Sequence, residues 1–127
     1  MKKRALKNLV IMIKGAGEMA TGVASRLFRS NFKKILMLEI PSPMAIRRRV
    51  SFCEAIHEQK VVVEGIRAVK VSSESEVLDA WESGMIAVIV DPKGESIPHY
   101  KPDVLVDAIL AKRNLGLCIT DAALVIA

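Results

Sequence analysis

The chain has 127 residues, of which 51% are hydrophobic and only 4% aromatic, and a formal net charge of +5. That length holds one domain, residues 1–127, with a core built from Val, Ile, Leu, Met and Ala, a profile that suits a parallel sheet covered by helices better than a β-sandwich. A membrane helix is excluded, because the apolar runs fall far short of the roughly 18 residues that one needs.

The first predicted element is a buried strand over Asn8–Ile13, which runs into Gly15-Ala16-Gly17. A helix over Glu18–Arg29 follows, with Met19, Val23, Leu27 and Phe28 on its inward face and Ser30-Asn31 closing it. Lys34–Ile40 is the second strand. Both strands are apolar at nearly every position, as in a doubly wound sheet buried on two faces. Ser42-Pro43 supplies a cap and a first-turn proline for a helix running to about Glu58, whose inward face holds Ile46, Val50, Cys53 and, at its margin, His57.

Lys60–Val71 predicts a hairpin or two short strands turning at Glu64-Gly65. Ser73-Glu-Ser-Glu76 is a capping box opening a helix through Trp81 that ends near Gly84. Met85–Val90 is a further buried strand, and Lys93–Pro102 is a polar loop. Val104–Val106 predicts a short strand, Asp107–Arg113 a helix, and Leu117–Thr120 and Ala122–Ala127 two more strands. The chain stops within the apolar run Leu124–Ala127, without cap, turn or polar tail, so a fold truncated at its C-terminus is expected. Strand edges exposed there would allow self-association into a homo-oligomer.

The strand, Gly-x-Gly turn and helix form a phosphate-binding pattern. Gly15 permits the tight turn, Gly17 lets backbone approach a phosphate, and Ala20 keeps the helix close to the strand. The free N–H groups of the first helical turn, from Glu18 and Met19 onward, add an anion site. Glu39 ends the second strand about 20 residues beyond the loop, the spacing of an acid that bonds a ribose; a solvated strand-end carboxylate is an equal reading. Arg47, Arg48 and Arg49 lie just beyond it, where one could meet a ligand phosphate and all three could not. Asp91, Asp107 and Asp121 follow apolar runs at strand ends, where either a site or a turn can use an aspartate.

His57 and His99 have no metal-ligand spacing, and Cys53 and Cys118 have no CxxC, so no directly bound metal is expected. The basic runs Lys2-Lys3-Arg4 and Arg47–Arg49 lack interleaved aromatics for base stacking, so nucleic acid is not expected as a partner, and the short apolar runs give no reason to expect a membrane. Lys7, Asn8 and Lys14 break the segment behind Lys2-Lys3-Arg4, which argues against export. Free thiols then fit a reducing, cytoplasmic setting. No nucleophile constellation, Walker loop or zinc signature is present, so no catalytic mechanism is legible.

Five segments together carry a family resemblance: Lys14-Gly-Ala-Gly-Glu-Met-Ala-Thr-Gly22, Arg49–Ala55, Val63–Ala68, Val90-Asp-Pro92 and Val106-Asp-Ala-Ile-Leu-Ala-Lys-Arg-Asn114. The chain resembles the YqeB-type accessory proteins of the selenium-dependent molybdenum hydroxylase system, and more loosely the XdhC-type maturation factors. The resemblance implies a Rossmann-like three-layer α/β fold with a mainly parallel sheet. It also implies a role in preparing or inserting the molybdenum cofactor for the molybdenum hydroxylase apo-enzyme. That cofactor is a phosphate-bearing pterin, often a dinucleotide, so Gly15, Ala16, Gly17, Glu18, Met19 and Gly22 would line its phosphate, with Glu39, Arg47 and Asp91 nearby. An NAD(P)-dependent oxidoreductase and a ligand-free scaffold are the competing readings of the same loop.

Overall fold

Strands apolar on every position can be stable only if both faces are covered, and the molecule is built that way. The computed structural model describes residues 8–39, 51–91, 93–108 and 124–126. In chain order they form β1 (Val10–Lys14), α1 (Glu18–Arg29), β2 (Lys34–Glu39), α2 (Glu54–Glu58), β3 (Lys60–Val63) and β4 (Ile66–Val71). Then follow α3 (Glu74–Glu82), β5 (Ile86–Val90), α4 (Ile97–Tyr100), β6 (Val104–Asp107) and β7 (Leu124–Ile126).

The strands make one seven-stranded sheet in the order β3-β4-β5-β2-β1-β6-β7. Every pairing is parallel except β3 with β4, so this is the mainly parallel α/β architecture expected. Strand side chains alternate between two cores. Ile11, Ile13, Ile35, Met37, Ile86 and Val88 meet Ala20 and Ala24 of α1 and Ala55 and Ile56 of α2. On the other face Met12, Leu36, Leu38, Ala87 and Leu105 meet Val77 and Ala80 of α3 and Ile97 of α4.

The hairpin turns where expected. Glu64 and Gly65 both have positive φ, +52° and +83°, the backbone that a two-residue turn of the primed type requires. Ser73 caps α3 by accepting the Glu76 N–H at 3.3 Å. The Glu76 carboxylate reaches one residue further back than a simple capping box, to the Ser72 N–H at 3.0 Å.

Four expectations change. Met19, placed on the inward face of α1, is 54% exposed. The helix instead turns Ala20, Thr21, Ala24 and Ser25 inward, and their small size lets it lie close to the sheet. The helix expected to run to about Glu58 is not helical over residues 51–53 and begins only at Glu54, with Cys53 as its N-cap and His57 exposed at its far end rather than inward. The loop over Lys93–Pro102 contains the short helix α4, and Asp107 ends β6 instead of starting a helix. The opening of the helix at Ser42-Pro43, Ile46, Val50, the three arginines, and the elements expected between 109 and 123 lie outside the described residues.

The chain leaves β1 for β2 on one side and later returns to place β6 on its other side. The carboxyl ends of β1 and β6 therefore flank the point where the winding reverses, the place where open α/β sheets form a crevice. Among the described residues, no helix is long and apolar enough to cross a membrane.

Candidate functional site

The glycine loop leaves β1 at this reversal. Gly15 takes φ +107°, a conformation that disfavours any residue with a Cβ, and its N–H extends the ladder by donating to Leu38 O at 2.6 Å. On the other side, the Ala108 N–H donates to Lys14 O at 3.0 Å.

Ala16 is fully buried, and its two backbone groups are held from three directions. Its N–H donates to the Glu39 carboxylate at 2.9 Å. Its carbonyl accepts the Cys53 N–H at 2.8 Å and the Thr21 hydroxyl at 3.2 Å. The Thr21 oxygen also accepts the Phe52 N–H at 2.8 Å, tying α1 to the segment that begins α2. Thr21 and Cys53 are themselves buried.

Gly17 is the N-cap of α1 and, having no side chain, does not itself cap the first-turn N–H groups. A Cβ built on Gly17 meets nothing within 4 Å. Packing in the protein therefore does not demand glycine here. A ligand approaching the helix N-terminus would. Gly22 also has open space around its Cα and lies exposed one turn down the helix. Met19 stands exposed in the first turn, and Glu18 contributes the first helical backbone N–H.

The Glu39 carboxylate meets the loop at the Ala16 N–H. The backbone carbonyl of Glu39 accepts the Asp91 N–H at 2.9 Å, which brings Asp91 to the same edge. The Asp91 carboxylate is engaged in folding the next loop: it accepts the Glu95 N–H at 2.9 Å, the Ser96 N–H at 2.8 Å and the Ser96 hydroxyl. Of the two readings of this aspartate, the structural one describes its bonds. Arg47 lies outside the described residues.

Two contributors had no clear signal in the sequence. Lys14, which looked like a charge interrupting an apolar run, is only 2% exposed at the loop mouth. In strand register it lies opposite Asp107. Its side chain runs toward Gly94, where an added Cβ would stand 3.7 Å from Lys14 Cε and 3.0 Å from Ile97 Cδ1. Thr21 is an ordinary mid-helix threonine by sequence, yet it is the joint between the loop and residue 52. Cys53 is buried, as expected of a core thiol. His99 is exposed and stands 3.2 Å from Glu74, away from the loop. Among the described residues, no group of three or more His, Cys, Asp or Glu is placed to hold a metal ion.

No family model matches the chain, and no solved structure matches it. Over 107 residues it is 43% identical to the uncharacterized protein YqeB of Escherichia coli (strain K12). The alignment takes in 84% of this chain and 20% of that protein, so the chain spans about a fifth of its relative's length and is similar to it across most of its own.

Proposed function

We propose that the chain is a Rossmann-like accessory domain that binds a nucleotide or molybdopterin-type cofactor by its phosphate and serves the maturation of a molybdenum hydroxylase. The observation that carries this reading is the glycine N-cap at the winding reversal. Gly17 has open space where a side chain would project, beside the positive end of a 12-residue helix. The backbone N–H groups of Gly17, Glu18 and Met19 would hold the phosphate. The resemblance to YqeB-type accessory proteins supports the ligand class and the apo-enzyme partner.

When bound, such a cofactor supplies the redox chemistry of the hydroxylase. The task of this chain is to hold the phosphate end and keep the loop in shape. Glu39 and Thr21 do the second of these through Ala16.

The test is a thermal-shift panel of NAD, NADP, ADP, CTP, molybdopterin and its cytosine dinucleotide, repeated on a Gly17→Val variant. A stabilisation by CTP or a pterin ligand that vanishes in the variant is expected. A shift with NAD or NADP alone would turn the reading to an oxidoreductase. Cooperative melting without any shift would leave a scaffold.

A further inference from the structure

An open cavity of roughly 410 Å³ lies at the carboxyl ends of β4 and β5, lined by Ile56, Lys70, Val71, Ser72, Ile89 and Val90. Strand register relates it to the glycine loop. Lys14 pairs with Leu38, which sets Gly15 beside Glu39. Glu39 pairs with Val90, and the pairing of Val71 with Ile89 sets Ser72 beside Val90. Gly15, Glu39, Val90 and Ser72 therefore form one row across the sheet edge, three strand spacings or about 14 Å from end to end.

Alternation puts the relevant side chains on one side of that row. Met37, Val88 and Ala68 belong to the core under α1 and α2, so Glu39, Val90 and Lys70, each two residues further on, face the same way. Helix α2 lies alongside. Its N-cap Cys53 bonds the loop at Ala16 O, and Ile56 three residues later lines the cavity.

The lining has a defined chemistry. On this face Ile56 and Val90 offer an apolar contact for a flat ring, while Val71 and Ile89 belong to the opposite core and turn their side chains toward α3. Lys70 is half-buried and makes no ion pair among the described residues. An ammonium donates and never accepts. It suits a ring edge with two adjacent acceptors, as in guanine or cytosine. On adenine the 6-amino group places a donor beside both N1 and N7, and no edge offers two adjacent acceptors. The Ser72 hydroxyl donates toward Glu76 at 3.3 Å, which leaves its oxygen as the acceptor for a base amino group.

We propose that this cavity is the base subsite of the ligand held at the glycine loop, and that Lys70 selects a guanine or cytosine nucleotide over an adenine one. The inference rests on the loop being the phosphate site. The experiment is isothermal titration of the full chain with pyrophosphate, GDP, CDP and ADP, repeated on Lys70→Met, Lys70→Arg and Gly17→Val.

GDP or CDP is expected to bind about tenfold more tightly than ADP, the worth of one charge-assisted hydrogen bond. Lys70→Met should abolish that preference and leave pyrophosphate binding unchanged, Lys70→Arg should retain it, and Gly17→Val should weaken all four ligands. Equal binding of the three nucleotides, or a preference that survives Lys70→Met, overturns the base subsite while pyrophosphate binding keeps the loop reading intact. Failure of pyrophosphate and of every nucleotide overturns both.

Discussion

The Ala16 N–H donates to the Glu39 carboxylate across the gap between β1 and β2, at 2.9 Å and 23 residues apart in sequence. The acid at the end of β2 thus shapes the loop whether or not it also meets a ribose. Glu39→Ala removes the acceptor of a buried backbone donor and should destabilise the fold by about 2 kcal/mol, the range for hydrogen bonds to charged groups. Glu39→Gln keeps an oxygen in place and should lose roughly half as much. Urea denaturation of both variants measures this. Equal stabilities for wild type and Glu39→Ala would show that the bond does not support the loop.

Thr21 makes a sharper contrast. In Thr21→Val the shape is kept, while the Phe52 N–H loses its acceptor in a buried setting, at a cost of about 1–3 kcal/mol. Thr21→Ser keeps both hydrogen bonds and should lose less than about 1 kcal/mol for the methyl group. Chemical denaturation of the pair separates the hydroxyl from the packing.

Two glycines should answer opposite questions. Gly17→Ala adds a Cβ into open space at a negative φ of −73°, so stability should change by less than about 1 kcal/mol while phosphate binding weakens. Gly94→Ala forces φ +69° on a residue with a Cβ and presses it against Ile97, so it should cost about 1–2 kcal/mol. Thermal melts with and without pyrophosphate distinguish a ligand glycine from a backbone one.

Tyr100 gives the pH dependence. Burial raises its phenol pKa above the ordinary 10.0, and the neighbouring Glu74 carboxylate adds to the shift. The folded protein then holds this proton longer than the unfolded chain does. Stability attached to the phenol is complete below pH 10.0 and falls as pH rises from there through the raised native value. Tyr100 is the only tyrosine, so tyrosinate absorbance reports it without ambiguity. Glu74→Gln should lower the titration midpoint only part of the way, because burial is the larger cause.

The sequence was informative where local chemistry decides. Ser73, Glu64-Gly65 and the full span of α1 were legible because caps, turn residues and a 3.6-residue period act over a few positions. The spacing of Glu39 from the loop suggests a ribose contact, whereas its bond to the Ala16 N–H depends on the pairing of β1 with β2 and has no local signal. The orientation of α1 was misread because Ala20 and Ala24 carry a weak hydrophobic signal, whereas Met19 carries a strong one. Helix α4 escaped notice, since four residues containing Pro98 show no period. Lys14 and Thr21 were missed for a different reason: their importance arises from β6 and residue 52, partners that only the folded sheet brings near. The order of the strands lay equally beyond a local pattern, because each parallel crossover is settled by long-range packing.

The convergence of Glu39, Cys53 and Thr21 on Ala16 has a thermodynamic consequence. Four chain segments meet there, from β2, α1, residue 53 and the loop itself, so the turn cannot open without disturbing all of them. A phosphate bound at Gly17, as proposed, would meet a loop already held in shape by these bonds. It would be spared the entropy of ordering a floppy loop, and its affinity would be set by the electrostatics of the helix end and the release of its own water.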